Sequence, residues 1–411
     1  GDDENIEVGA TASFLAAGET ITFAGGKIDL ANDANLTINS TGGAITVSGV
    51  AGNSDETVTI NADGGSTSTE TVSLGDVGDS GHTEIHTLTV TGDDGITLTG
   101  NIYTSADSSS SGDVTFNDKV IIDGAVSIDT DNTGDTTSTD GIIEFATSIQ
   151  SESNGTDSLT LTSGAGTITL VEIGGSSKPL TSFVATSNAL TISNDITTTG
   201  LIDINAPITL GADVVLSSGT GAGNIELGSS VVGAHNLDIS SGSGAVTITG
   251  DIGAVASKAL TSLDINNGSE TGNINLTGNI GTASLSGAGV VNIGNDGLTG
   301  TLTFGGTDYN TTGAQTFIAD AYSMTGADPD FNTDNDNISF EDGGITLATI
   351  SNLEVNTGDS TIGNISIEGA IGGTSDSTTT TITLEAGSGS VSIAGISTDI
   401  GNVTIDGSGG V

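Results

Sequence analysis

The chain has 411 residues, of which 64 are glycine and 3% aromatic, with no cysteine and a net charge of −48 from 52 acidic residues against four lysines (Lys27, Lys119, Lys178 and Lys258). Such a polyanion cannot neutralise nucleic-acid phosphates and is repelled from anionic membrane surfaces, so the sequence speaks against nucleic acid and membrane insertion. Without cysteine there are no disulfides or thiolate metal sites, and no apolar run reaches the roughly 18 residues of a spanning helix.

Strand patterns begin early and hardly stop. The first are Thr20-Ile21-Thr22-Phe23, Lys27-Ile28-Asp29-Leu30, Asn35-Leu36-Thr37-Ile38 and Thr57-Val58-Thr59-Ile60. Ser158-Leu159-Thr160-Leu161, Ala189-Leu190-Thr191-Ile192 and Leu201-Ile202-Asp203-Ile204 follow in the middle. Later ones centre on Leu237, Leu263, Ile274, Ile365 and Val403. Each alternates an apolar residue with Thr, Ser, Asn or Asp, the period-two pattern of a strand with one buried face. Gly, Ser, Asn and Asp clusters separate them.

A short phrase, a Gly/Ser turn followed by an alternating strand, recurs. It reads Ser163-Gly164-Ala165-Gly166-Thr167-Ile168-Thr169-Leu170, then Ser241-Gly242-Ser243-Gly244-Ala245-Val246-Thr247-Ile248, then Gly387-Ser388-Gly389-Ser390-Val391-Ser392-Ile393. Thr41-Gly42-Gly43-Ala44-Ile45-Thr46-Val47 is a looser copy. Ser163 and Ser241 lie 78 residues apart, and Lys178 and Lys258, which open another repeated phrase, lie 80 apart. A repeated unit too short to fold alone must stack on its neighbours. The sequence therefore predicts an all-β fold, an elongated right-handed parallel β-helix (a β-solenoid) running through residues 1–411 as one continuous body. Coils of about 20–25 residues would give roughly 16–20 of them. Tandem β-sandwich repeats are the alternative. The chain does not begin with Met and ends in another turn, as a fragment or processed part of a longer repeat protein would. Three polar stretches, 107–112, 129–141 and 327–341, interrupt the rhythm and are expected to bulge as insertions, the last two strongly acidic.

Several phrases resemble the repeats of giant secreted bacterial adhesins, the filamentous-haemagglutinin-like and related β-strand-repeat surface proteins. They are Gly112-Asp113-Val114-Thr115-Phe116, Leu180-Thr181-Ser182, Thr198-Thr199-Gly200, Ala206-Pro207-Ile208-Thr209-Leu210 and Thr312-Gly313-Ala314-Gln315-Thr316-Phe317. The resemblance covers about residues 110–320 and implies secretion to the cell surface and a role in adhesion or in building a fibre. The near-absence of basic residues departs from those repeats.

Two acidic stretches carry calcium-like spacing. Asp129, Asp131, Thr133, Asp135 and Asp140 place oxygens at positions 1, 3, 5, 7 and 12 with Gly134 at 6, the order of an EF-hand loop. Asp330, Asn332, Asp334, Asp336 and Glu341 make a second near-match, with Asn335 in the glycine place. Hard carboxylate oxygens suit Ca²⁺; a solvated turn in a chain this rich in Asp and Asn is the competing reading. His82, Glu84 and His86 alternate along a strand and so share one face. Catalysis has little support. There is no arginine to stabilise developing charge in a lyase, no nucleophile elbow, no phosphate loop, and no distinguished carboxylate pair.

The expectation is thus a non-enzymatic, secreted structural protein, the shaft of a surface fibre, adhesin or sheath. Its partners would be copies of itself, stacked head-to-tail or laterally, and cell-surface glycans or other cells. The alternatives are a calcium-stabilised S-layer or matrix protein of β-sandwich repeats and a carbohydrate-active β-helix enzyme.

Overall fold

A computed structural model describes residues 5–53, 56–64, 70–79, 84–104, 112–131, 140–175, 177–284, 286–298, 300–348, 352–358, 362–374, 380–397 and 399–410. None of the described residues is helical. The fold is a β-solenoid of stacked parallel coils, about 15 turns in all. The chain divides into two compact units, one of residues 1–199 with 205–207 and one of 200–204 with 208–411.

In the first unit a coil passes through three short strands, as in Val114–Phe116, Val120–Ile122 and Ala125–Asp129. The next coil repeats them as Ile143–Phe145, Ile149–Ser151 and Ser158–Thr162, and each strand pairs in parallel with its counterpart. Pairing in register puts like side chains in columns. Leu36, Val58, Leu88, Val114, Ile143, Ile168 and Leu190 form one such column, and all seven are buried. Burying an aliphatic side chain of this size contributes about 1.5–3 kcal/mol, so the inward column holds the coils while Thr, Ser and Asn face out.

The second unit starts with the same plan. Its later coils merge two strands into one long bent strand, as in Gln315–Met324, which pairs with Ile338–Leu347. Between Ile338–Leu347 and Ile365–Gly373 the register slips at a bulge after Phe340. Six aromatic rings, Phe304, Tyr309, Phe317, Tyr322, Phe331 and Phe340, fill the core here, with neighbouring centroids 4.6–6.4 Å apart.

The parallel pairing of successive coils excludes the alternative of β-sandwich repeats, whose sheets are antiparallel. Coil length is more variable than the sequence reading assumed. Register partners stand from 18 residues apart (Leu180 and Thr198) to 33 (Ala125 and Ser158). The segment 327–341 does not leave the coil as an insertion. Asp330–Asn332 is an ordinary strand paired on both sides, followed by a corner and then Ile338–Leu347. Residues 107–111 and 132–139 lie outside the described residues.

Candidate functional site

The recurring Gly/Ser phrase is a coil corner, closed by a backbone bond in the copies at 163–166, 241–244 and 386–389 and, at 241–244, by its own side chain as well. Ser241 is fully buried; its Oγ donates to Gly244 O at 2.6 Å while Gly244 N donates back to Ser241 O at 2.8 Å. Ser218 on Gly223 O (2.6 Å), Thr130 on Gly141 O (2.8 Å), Thr333 on Asp336 O (2.6 Å) and Thr357 on Gly363 O (3.0 Å) repeat the clasp. Each of these five buried hydroxyls is paired, whereas Ser163 Oγ at the matching corner is buried without a partner. The glycines that end the Ser241 and Ser163 corners have no room for a side chain. A Cβ on Gly244 would lie 2.0 Å from Gly223 O, and one on Gly166 would lie 2.2 Å from Gly141 O.

A second device ties coil to coil on the outside. Asp76 Oδ1 accepts from Asn101 N (3.0 Å), and Asn101 Oδ1 accepts from Ser127 N one coil further (2.9 Å). Asn337 and Asn364 relay in the same way, Asn364 N to Asn337 Oδ1 (2.8 Å) and Ser390 N to Asn364 Oδ1 (2.9 Å). Asp251, Asn279 and Thr307 form a third relay. Asn and Asp abound just before strands because each satisfies a backbone donor that the corner leaves open.

Asp129, Asp131 and Asp140 meet at one corner of the first unit. Asp131 N donates to Asp129 Oδ1 at 2.9 Å, and Asp140 Oδ2 accepts from Ala165 N at 2.6 Å. Burial first, then the neighbouring carboxylates, raises Asp129 and Asp131 above the ordinary aspartate range. Thr133 and Asp135 lie outside the described residues. The second set is dispersed along a coil. Asp330 and Asn332 sit on a strand, Asp334 and Asp336 on a corner, and Glu341 on the next strand, where its carboxylate accepts from Ser339 Oγ at 3.0 Å. Among the described residues, no group of three or more His, Cys, Asp or Glu is arranged to hold a metal. His82 lies outside the described residues; His86 N donates to Glu56 O at 2.8 Å, and Ile85 between them in the pattern points into the core.

The structure gathers a different set, which linear spacing does not show. Asp330 is the register partner of Asp308 on one side and Glu354 on the other, while Asn310, Asn332, Asn356 and Glu385 form the adjoining column. Asn332 Nδ2 donates to Asn310 Oδ1 at 2.8 Å. Oδ1 of Asp330 is shielded from solvent and has no hydrogen-bond partner. Burial, with Asp308 and Glu385 adding to it, raises the Asp330 carboxyl against the bond from Asn332. Glu354 is exposed, but partial shielding of its carboxyl and the charges of Asp330 and Glu385 raise it. A cavity of about 290 Å³, lined by Asp328, Asp330, Asn352, Glu354, Thr381 and Thr383, opens beside this stack.

Two other acids are held the opposite way. The buried Asp157 accepts from Gly124 N (2.9 Å), Ser153 N (3.2 Å), Thr156 Oγ1 (3.1 Å) and Ser151 Oγ. Burial works against its charge, but these donors together leave it below the ordinary range. Glu270 is likewise lowered despite burial, chiefly through Ser240 Oγ at 2.6 Å.

No family model matches the sequence, and neither a curated protein nor a solved structure is similar to it.

Proposed function

We propose that the chain is a load-bearing segment of an extracellular surface fibre, adhesin or sheath, with a mechanical rather than a catalytic role. The observation that carries this reading is the direction of the polar bonding. Hydroxyl clasps close the corners, and Asn/Asp relays run from each coil to the next in both units. A stack tied this way resists shear between coils, and its strength adds with every coil. The acidic surface suits a saline exterior, where cations, calcium among them, screen the self-repulsion of a chain carrying −48. The outermost described coils keep apolar side chains in reach of solvent: Ile6 is 40% and Val403 38% exposed, and Phe14 and Phe23 are only half-buried. Open strand edges of this kind recruit further strands, so copies of the isolated chain stack head-to-tail.

Electron microscopy and analytical ultracentrifugation of the purified chain, with salt and with and without calcium, test the assembly. Filaments or a concentration-dependent series of end-to-end oligomers are expected. A monomer at all concentrations would remove the assembly part of the proposal. Single-molecule pulling tests the load-bearing part: release in steps of one coil is expected, and collapse at negligible force refutes it.

A further inference from the structure

The carboxylate stack of the second unit does something the shaft does not need. Three acids, Asp308, Asp330 and Glu354, occupy one column of parallel rungs, where neighbours are roughly 4.8 Å apart. Facing Asp330 from the packed elements are Asp308 on the preceding strand, Glu354 on the following strand and Glu385 on the one after that. Asn332 on its own strand bonds it, and Asp328, Thr381 and Thr383 share the adjacent cavity. All four lysines and all three histidines fall at or before residue 258, so this part of the chain carries no basic side chain. Like charges this close disfavour full ionisation. The shielded Oδ1 of Asp330 lacks a donor. A proton supplies what is missing: added from solvent to one carboxylate oxygen, it breaks no bond and leaves an O–H that donates to the neighbouring carboxylate.

We infer that the Asp308–Asp330–Glu354 stack is a proton-operated lock, which binds the coils of the second unit more tightly when the surroundings turn mildly acid. Repulsion between adjacent rungs is then replaced by a short charge-assisted hydrogen bond. The sign follows from the raised carboxyls of Asp330 and Glu354. The folded unit holds protons that the unfolded chain, with carboxyls near 4, releases; the added stability is complete below that value and is lost as the pH rises through the folded value.

The test uses the full chain carrying Tyr103→Phe, which leaves Tyr309 and Tyr322, both buried in the second unit, as the only tyrosines. Urea unfolding followed by tyrosine fluorescence is compared at about pH 7 and about pH 4 in high salt, where general charge repulsion is screened more than a partly buried pair. The urea midpoint is expected to rise on acidification. Asp330→Asn, whose amide donates at every pH, is expected to raise the midpoint at pH 7 towards the acid value and to flatten the pH dependence. Should Asp330→Asn not fold, Glu354→Gln, at an exposed position, is expected to reduce the same dependence. A midpoint that is flat or falls on acidification overturns the inference, as does an Asp330→Asn chain that keeps the full dependence. A rise with calcium at pH 7 but none with acid would also overturn it, in favour of a cation as the missing partner.

Discussion

Gly244→Ala should break the stack at one corner. The added Cβ would lie 2.0 Å from Gly223 O and 2.4 Å from Gly223 C, both backbone atoms of the coil before. A methyl cannot sit there unless the two coils part by roughly 1 Å, a large fraction of the gain in any packed contact. Ser243 N to Gly221 O (2.9 Å) and Ala245 N to Asn224 Oδ1 (3.0 Å) flank the glycine and would stretch with it. Overpacking costs about 1–3 kcal/mol and two weakened hydrogen bonds about 1 kcal/mol each, while the stiffer unfolded chain returns about 0.4–1 kcal/mol. The net loss is about 2–4 kcal/mol. For a unit of about 200 residues this is a fall in unfolding midpoint of about 4–16 °C. Gly395→Ala is the control, because nothing lies within 4 Å of its added Cβ and it needs no left-handed backbone. That variant should match or slightly exceed the parent in stability. Calorimetry on the two variants decides. Equal midpoints, or a Gly244→Ala chain within about 1 °C of the parent, would refute the view that these glycines are there to let coils touch.

Three further outcomes are expected. Asp157→Ala leaves the Gly124 and Ser153 amides without their acceptor and should cost the first unit about 1–3 kcal/mol in denaturant unfolding. Because its folded carboxyl is lowered, the parent's advantage over this variant is full above about pH 4 and should shrink as pH falls below it. Phe331→Ala empties the centre of the aromatic cluster, where Phe331 stacks on Tyr309 at 4.6 Å, and should cost the second unit about 3–5 kcal/mol by the same assay. Burial raises the Tyr309 and Tyr322 hydroxyls well above a free tyrosine, so their stabilising share is complete below about pH 10 and is lost as pH rises further. In the Tyr103→Phe chain, tyrosinate absorbance should therefore appear together with loss of circular dichroism; tyrosinate in a chain that stays folded would contradict it.

The strands were legible because each obeys one local rule. Thr57–Asn61, for example, alternates Thr57, Thr59 and Asn61 outward with Val58 and Ile60 inward, and nothing beyond that segment is needed to see it. The corner phrase was legible as a turn, but not as a clasp. That Ser241 is buried and bonds Gly244 O follows from where the chain goes next, and a serine in a Gly/Ser run looks like any solvent-facing turn residue. The acidic pattern misled for the same reason. Spacing from Asp330 to Glu341 describes neighbours along the chain, whereas a solenoid makes neighbours of residues one coil apart.

In this fold proximity is set by coil length, and coil length is not constant. Asp308 to Asp330 is 22 residues and Asp330 to Glu354 is 24, while Val58 to Leu88 is 30. A fixed-period search would miss the carboxylate stack even if it looked for one. The inward columns tolerate this variation because any aliphatic residue fills them, so corners can lengthen without penalty to the core. Outward columns carry no such filter. Acids can drift into register there at a cost in repulsion that the buried columns bear, and each such coincidence becomes a place where protons, salt or cations act on stability. Chemistry in a solenoid of this composition is therefore to be sought across rungs, at register partners such as Asp308, Asp330 and Glu354, rather than within any contiguous stretch of sequence.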